Sequence, residues 1–90
     1  MKQWNVDATT KRLKRVEGQI RGIIKMIEDD RSCEDILIQI GSAKAGLHKT
    51  GQVILEGHLQ SCVLNSIRDG NEEEAIKKFS SALEQFSRIV

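Results

Sequence analysis

Residues 32–68 read SCEDILIQIGSAKAGLHKTGQVILEGHLQSCVLNSIR, and the predicted fold follows from them. It contains no proline, and apolar or small residues recur along it at alternating steps of three and four. That spacing is typical of one face of a long α-helix. The stripe consists of Cys33, Ile36, Ile40, Ala43, Leu47, Thr50, Ile54 and Gly57.

Three potential metal ligands lie on this same side of the predicted helix. His58 and Cys62 are four residues apart, so their side chains are neighbours on the helix surface. Cys33 precedes His58 by 25 residues, which is about 37 Å at a rise of ~1.5 Å per residue. One straight helix therefore cannot bring the three together. Two copies packed antiparallel would place Cys33 of one chain beside His58 and Cys62 of the other.

The flanking sequence predicts one helix on each side of this stretch. The first helix should run from about Val6 to Glu28, because an apolar stripe with the same spacing extends from Leu13 to Ile27 and Asp29 to Arg31 interrupts the pattern. Ser32 and Asp35 resemble a capping box, in which the serine accepts from a free amide and the acid reaches back. The first stripe contains Leu13, Val16, Ile20, Ile23 and Ile27.

A second boundary follows the long helix. Gly70 tolerates a left-handed conformation, so the long helix should end near Arg68. Asn71 can cap a third helix, and the three glutamates after it suit the positive end of the helix dipole. The third stripe contains Ile76, Phe79, Leu83, Phe86 and Val90.

The length and composition indicate a single small all-α domain that spans residues 1–90. A chain of 90 residues is near the size at which one core is marginal and oligomerisation adds stability. The sequence contains no proline and no apolar run of membrane-spanning length. We therefore expect a cytoplasmic protein without a membrane partner. The simplest assembly is an antiparallel four-helix bundle made by the first two helices of two chains. The third helix would then pack outside this bundle or mediate a larger assembly.

The charge is unevenly distributed along the chain. Residues 1–25 contain seven basic and two acidic residues, a net charge of +5, whereas the remainder carries −4. A basic segment on an otherwise acidic molecule favours an anionic partner, of which nucleic acid is the commonest. A solvated helix face would give the same pattern.

The donor types limit which metals could bind. Two thiolates and one imidazole form a soft set of three ligands, which favours Cu(I). Zn(II) usually needs a fourth ligand. Cysteine on an apolar stripe is also often a small buried hydrophobe. His48 has no cysteine or histidine one turn away, so we interpret it as a polar surface or packing residue.

The sequence gives no support for catalysis. It contains no nucleophile beside a base, no phosphate-binding glycine loop and no paired carboxylates in a predicted cleft. We predict neither an enzyme nor a small-molecule substrate.

Residues 12–47 (RLKRVEGQIRGIIKMIEDDRSCEDILIQIGSAKAGL) and 56–63 (EGHLQSCV) resemble the copper-sensing members of the CsoR/RcnR family of bacterial metal-responsive repressors. The similarity extends over about residues 9–85. It implies a helical dimer that assembles into a homotetramer, and an apo-protein that represses copper-efflux or copper-chaperone genes. It also implies that Cys33 of one protomer and His58 and Cys62 of the other bind Cu(I).

The resemblance also implies a DNA-binding surface. Arg12 and Lys49 fall where the family has basic residues needed for operator binding, and Lys11, Lys14 and Arg15 would be neighbouring phosphate contacts.

Two positions depart from the family pattern. Copper sensors often have a tyrosine before the first cysteine and a glutamate on the third helix, both hydrogen-bonded in a network to the ligand histidine. Here Ser32 and Lys78 hold those positions, and Glu74 lies one turn before Lys78. Glu74 is therefore the candidate partner of the histidine.

Two alternatives to copper sensing remain open. A thiol-based repressor would use the Cys33–Cys62 pair to sense persulfide or other reactive sulfur, although such relatives lack the histidine. A metal-buffering helical protein would have no DNA partner.

Overall fold

The structure is a computed structural model that describes residues 4–89. These residues form three α-helices, which are α1 (Val6–Glu28), α2 (Cys33–Asp69) and α3 (Glu72–Arg88). Within the described range there is no strand, and no helix has the length and apolar character that a membrane span needs. The predicted all-α class is confirmed, and the predicted bounds of α1 and α2 agree within one residue. Val90, at the end of the third stripe, lies outside the described residues.

The turn between α1 and α2 reverses the chain in a Schellman motif. Asp30 adopts a left-handed conformation with φ 57°, and the next N–H, of Arg31, donates to the carbonyl of Met26 at 2.9 Å. Ser32 then accepts from the Asp35 N–H at 3.2 Å, as predicted. The other half of the predicted capping box is wrong, because the Asp35 carboxylate accepts from Arg31 at 3.3 Å.

The turn between α2 and α3 is closed by backbone groups. Gly70 has φ 70°, and its N–H donates to the carbonyl of Ser66 at 3.0 Å. Asn71 occupies the N-cap position, but its side chain makes no capping hydrogen bond. That part of the prediction is wrong because φ −96° and ψ 52° differ from the extended conformation that directs an N-cap side chain toward the free amides.

The three helices form a single layer. Both α1 and α3 pack on α2, and within residues 4–89 they do not contact each other. The chain measures 58 × 25 × 12 Å, and its smallest dimension is about one helix diameter. A single layer cannot enclose a core. Accordingly, the buried apolar side chains in the described part of the chain are only Val16, Ala43 and Cys62.

Helices α1 and α2 are antiparallel and approach closely at Gly46. A Cβ at position 46 would lie 2.9 Å from Cγ2 of Val16, so glycine is what permits this approach. Gln19 donates to Ser42 at 3.1 Å one turn further on. A glycine inside a helix costs up to ~1 kcal/mol relative to alanine, and this close contact accounts for the one at Gly46. No such contact accounts for Gly41, because nothing lies within 4 Å of a Cβ built there.

Helix α1 carries two rows of apolar or small residues, and α2 covers only one of them. Thr9 and Val16 are buried. The other row recurs every seven residues, which is the spacing of residues in a helical bundle seam. Its members, 40–59% exposed, are Val6, Leu13, Ile20 and Ile27.

Candidate metal-binding site

The three potential ligands lie on one unbroken helix. Cys33 is the first residue of α2 and is exposed, whereas Cys62 is buried. The Sγ atom of Cys62 lies 3.6 Å from Nε2 of His58 and 3.9 Å from its Nδ1. One chain therefore brings two donors together and holds the third far away. The described part of the chain has no cluster of three His, Cys, Asp or Glu residues that could hold a metal ion.

Helix α3 covers the His58–Cys62 pair. The ring of Phe79 stacks on the imidazole of His58, with ring centroids 6.2 Å apart and an interplanar angle of 21°. This contact limits the orientations of the imidazole while the neighbouring Cys62 stays within reach. The sequence placed Phe79 on the apolar stripe of α3 but gave no signal for its partner, because that partner depends on the register between α2 and α3.

A pocket of about 160 Å³ lies between α2 and α3 beside this pair. Its lining includes His58, Cys62, Glu74 and Lys78. Nζ of Lys78 lies 3.4 Å from Oε1 of Glu74. Glu74, expected beside the ligand histidine, thus lines the same pocket as His58, and its described ion pair is with Lys78.

The second histidine lies elsewhere on α2. The ring of His48 packs against Phe86 of α3, with centroids 5.1 Å apart, and its side chain is half-buried. The interpretation of His48 as a packing residue is confirmed.

The basic residues predicted to contact DNA are all exposed. Because Val16 faces α2, helical geometry places Lys14 on the opposite side of α1. Lys11 lies on the same side and forms an exposed ion pair of 3.3 Å with Asp7.

Arg12 and Lys49 belong to different helices but lie at the same level. Val16 meets Gly46 in the antiparallel pair, Arg12 is one turn before Val16, and Lys49 is almost one turn after Gly46. The fold therefore places the two basic positions singled out in the sequence at the same height along the α1–α2 pair.

A family model described as metal-sensitive transcriptional repressor matches residues 5–85. The chain belongs to the family of metal-sensitive transcriptional repressors. The resemblance to the CsoR/RcnR family is thereby confirmed, as is the prediction that the protein is not an enzyme.

Two curated relatives of this repressor are similar over nearly its whole length. One is the copper-sensing transcriptional repressor CsoR of Bacillus subtilis (strain 168), with 42% identity covering 91% of this chain and 81% of the relative. The other is the copper-sensing transcriptional repressor RicR of Mycobacterium tuberculosis, with 39% identity covering 93% and 86%.

Two solved structures share the fold of this repressor. The nickel-responsive transcriptional regulator InrS has a TM-score of 0.88 and 30% identity, covering 96% of this chain and 97% of that one. The copper-sensing repressor CsoR with Cu(I) from Geobacillus thermodenitrificans NG80-2 has a TM-score of 0.82 and 43% identity, covering 91% and 85%.

Proposed function

We propose that this repressor responds to Cu(I). Its apo form binds operator DNA, and Cu(I) binding at a site shared by two protomers releases it and derepresses copper-homeostasis genes. The observation that carries the proposal is the 3.6 Å contact of His58 with Cys62, on the helix that begins with Cys33. The relatives named as copper-sensing, and the related structure with Cu(I), support it.

The donor set fits Cu(I) better than other metals. Two thiolates and one imidazole are soft, and three of them suffice for Cu(I), whereas structural Zn(II) sites usually have four ligands. The nickel-responsive relative shares the helix arrangement. However, Ni(II) favours nitrogen and oxygen donors in tetragonal geometry, and a similar fold does not determine the donors.

The site requires a second copy of the chain. In an antiparallel pair of α2 helices, Cys33 of one protomer would lie beside His58 and Cys62 of its partner. The two-fold axis of such a pair passes near Leu47, midway between the donors. Leu47 is exposed in the single chain, as are Ile40 nearby and the second apolar row of α1. These surfaces would form the core of a four-helix dimer. Exposed Ile76 and Leu83 of α3 would remain available for a dimer of dimers.

The same assembly would present basic residues to DNA. Lys11, Arg12, Lys14, Arg15 and Lys49 are exposed, and we assign them to phosphate contacts that give salt-dependent operator binding. This role places the protein in the cytoplasm.

Copper binding and DNA binding would be coupled through α2. Ligation by both protomers fixes the register and separation of the two α2 helices. If the DNA-bound assembly has a different spacing, operator affinity falls by the coupling free energy, typically ~1–3 kcal/mol. In this mechanism, the ligands act on DNA binding by stabilising one of two arrangements of the paired α2 helices.

The test is an anaerobic operator titration by the apo-protein, alone and with one equivalent per chain of Cu(I), Zn(II), Ni(II) or a persulfide donor. We expect tight binding by the apo form and release by Cu(I). Release by persulfide alone, with a covalent dimer on a denaturing gel, would instead establish the thiol-based alternative. Failure of the apo-protein to bind DNA at low salt would support metal buffering.

A further inference from the structure

We propose that Lys78 makes this site selective for a monovalent metal ion over divalent ones. This inference rests on the Cu(I) site proposed above and assigns a specificity role to a residue on α3. It follows from the charges that the structure places around His58 and Cys62.

Three charged side chains in the described part of the chain line the pocket beside His58 and Cys62, namely Asp69, Glu74 and Lys78. Two carboxylates thus accompany a single ammonium group. Without Lys78, the pocket would present only negative charge to a metal held by His58 and Cys62. An arrangement of that kind favours the ion of higher charge.

The charge of the loaded site depends on the metal. Cys33 and Cys62 bind as thiolates, their two protons pass to solvent, and His58 binds as neutral imidazole. The site then carries a net charge of −1 with Cu(I) and zero with Zn(II), Ni(II) or Co(II). A nearby ammonium group stabilises the Cu(I)-loaded site, which is negative, by Coulomb attraction, and it has little effect on the neutral site loaded with a divalent ion. Carboxylates have the opposite preference.

The Lys78 ammonium is able to respond to this charge. Its ion pair with Glu74 spans one helical turn, and both side chains are 65% exposed. Pairs of this kind are weak because solvent screens them. Lysine also carries its charge at the end of a flexible stem, so a negative complex in the pocket can compete with Glu74 for it.

The test compares Lys78→Met with Lys77→Met. Lys77 precedes Lys78 on α3 but lines a neighbouring recess with Glu72 and Glu73 rather than the pocket of His58, so the two variants lose the same charge at different places. Affinities for Cu(I) and Zn(II) are measured by competition with a chromophoric chelator. We expect Lys78→Met to weaken Cu(I) binding ~5-fold and to leave Zn(II) binding unchanged or tighter. Lys77→Met should change the Cu(I)/Zn(II) ratio less than ~2-fold.

Three further measurements separate charge from packing. Lys78→Arg should restore the ratio, and Glu74→Gln should shift it toward Cu(I). The effect of Lys78→Met should shrink at high salt, because screening weakens a Coulomb interaction. Equal losses for both metals, or an effect that is insensitive to salt, would overturn the proposal.

Failure of the underlying site has a different signature. If the wild-type protein shows no Cu(I)–thiolate absorption, or if Cys33→Ser retains it unchanged, the intersubunit site itself is refuted. If that absorption depends on Cys33 while Lys78→Met matches Lys77→Met, only the selectivity role is refuted.

Discussion

His58 and Cys62 meet across one turn of α2, with Sγ 3.6 Å from Nε2, while Cys33 begins the same helix. Because α2 is a continuous helix from Cys33 to Asp69, no adjustment of loops within one chain can bring Cys33 to that pair. A second protomer running in the opposite direction can do so.

His58→Ala should remove the copper response without removing DNA binding. The imidazole is a proposed ligand, whereas the basic residues assigned to DNA lie on other parts of the surface. We expect apo operator affinity within ~2-fold of the wild-type value, and a copper-induced loss of affinity reduced from at least ~5-fold to less than ~2-fold. Fluorescence anisotropy with labelled operator measures both.

His48→Ala is the matched control, because this histidine is on the same helix but packs on Phe86. It should keep the copper response. A normal copper response in His58→Ala would contradict the ligand assignment.

Leu13→Glu should dissociate the assembly. Leu13 belongs to the exposed row of α1, where it is 43% exposed in the single chain, and we expect it to be buried between protomers. Complete burial of an exposed leucine is worth about 1.5–3 kcal/mol, of which a little under half remains to be gained on assembly, and a buried carboxylate adds a further cost. Sedimentation velocity should show smaller species at micromolar concentration.

Lys14→Glu, at the adjacent position, faces away from α2 and should keep the wild-type sedimentation. It should instead weaken operator binding and lower the slope of log affinity against log salt by about one unit per lost contact. If Lys14→Glu dissociated the assembly while Leu13→Glu kept the wild-type sedimentation and weakened operator binding, the two faces of α1 would be wrongly assigned.

Gly46→Ala should destabilise the protein. The added methyl group would lie 2.9 Å from Cγ2 of Val16, and valine in a helix is confined to essentially one rotamer. We expect a net loss of about 1–2 kcal/mol in the free energy of unfolding, because the overpacking exceeds the gain in helix propensity.

Gly22→Ala is the control, since nothing lies within 4 Å of a Cβ at that position. It should gain about 0.5–1 kcal/mol. Both are measured by denaturant unfolding at one fixed protein concentration, because the stability of an oligomer depends on concentration. Equal effects of the two substitutions would argue against the close approach of α1 and α2.

Asp30→Gly should stabilise the turn between α1 and α2. Asp30 has φ 57°, where a side chain is strained and glycine is not. We expect a gain of about 0.5–1 kcal/mol in the free energy of unfolding. Asp29→Gly should destabilise instead, because φ is −86° at Asp29 and glycine there only adds freedom to the unfolded chain.

The helices were predictable because their signals are local. Steps of three and four placed α1 and α2 within one residue, and Gly70 ended α2 through its left-handed conformation. The two errors at caps, at Asp35 and Asn71, arose because residue type does not determine whether a side chain reaches the free amides or another partner.

The sequence could not assign a neighbour to each apolar residue. Val16 and Leu13 belong to one periodic stripe, yet only Val16 is buried within the chain. Periodicity identifies the face but not the helix that covers it. For the same reason, the spacing of His58 and Cys62 was predictable, whereas the stacking of Phe79 on His58 and the position of Lys78 in their pocket depend on the register of α3.

The most direct test is complementation between two inactive variants. Cys33→Ser lacks one donor of every site, and the double variant His58→Ala/Cys62→Ser lacks the other two, so each alone should not form the three-donor site. Co-expressed in equal amounts and paired at random, they should produce mixed dimers with one complete site each and recover about a quarter of the wild-type Cu(I)–thiolate absorption. Recovery at that level is the predicted result, and no recovery in mixed dimers isolated by two affinity tags would contradict a site shared between protomers.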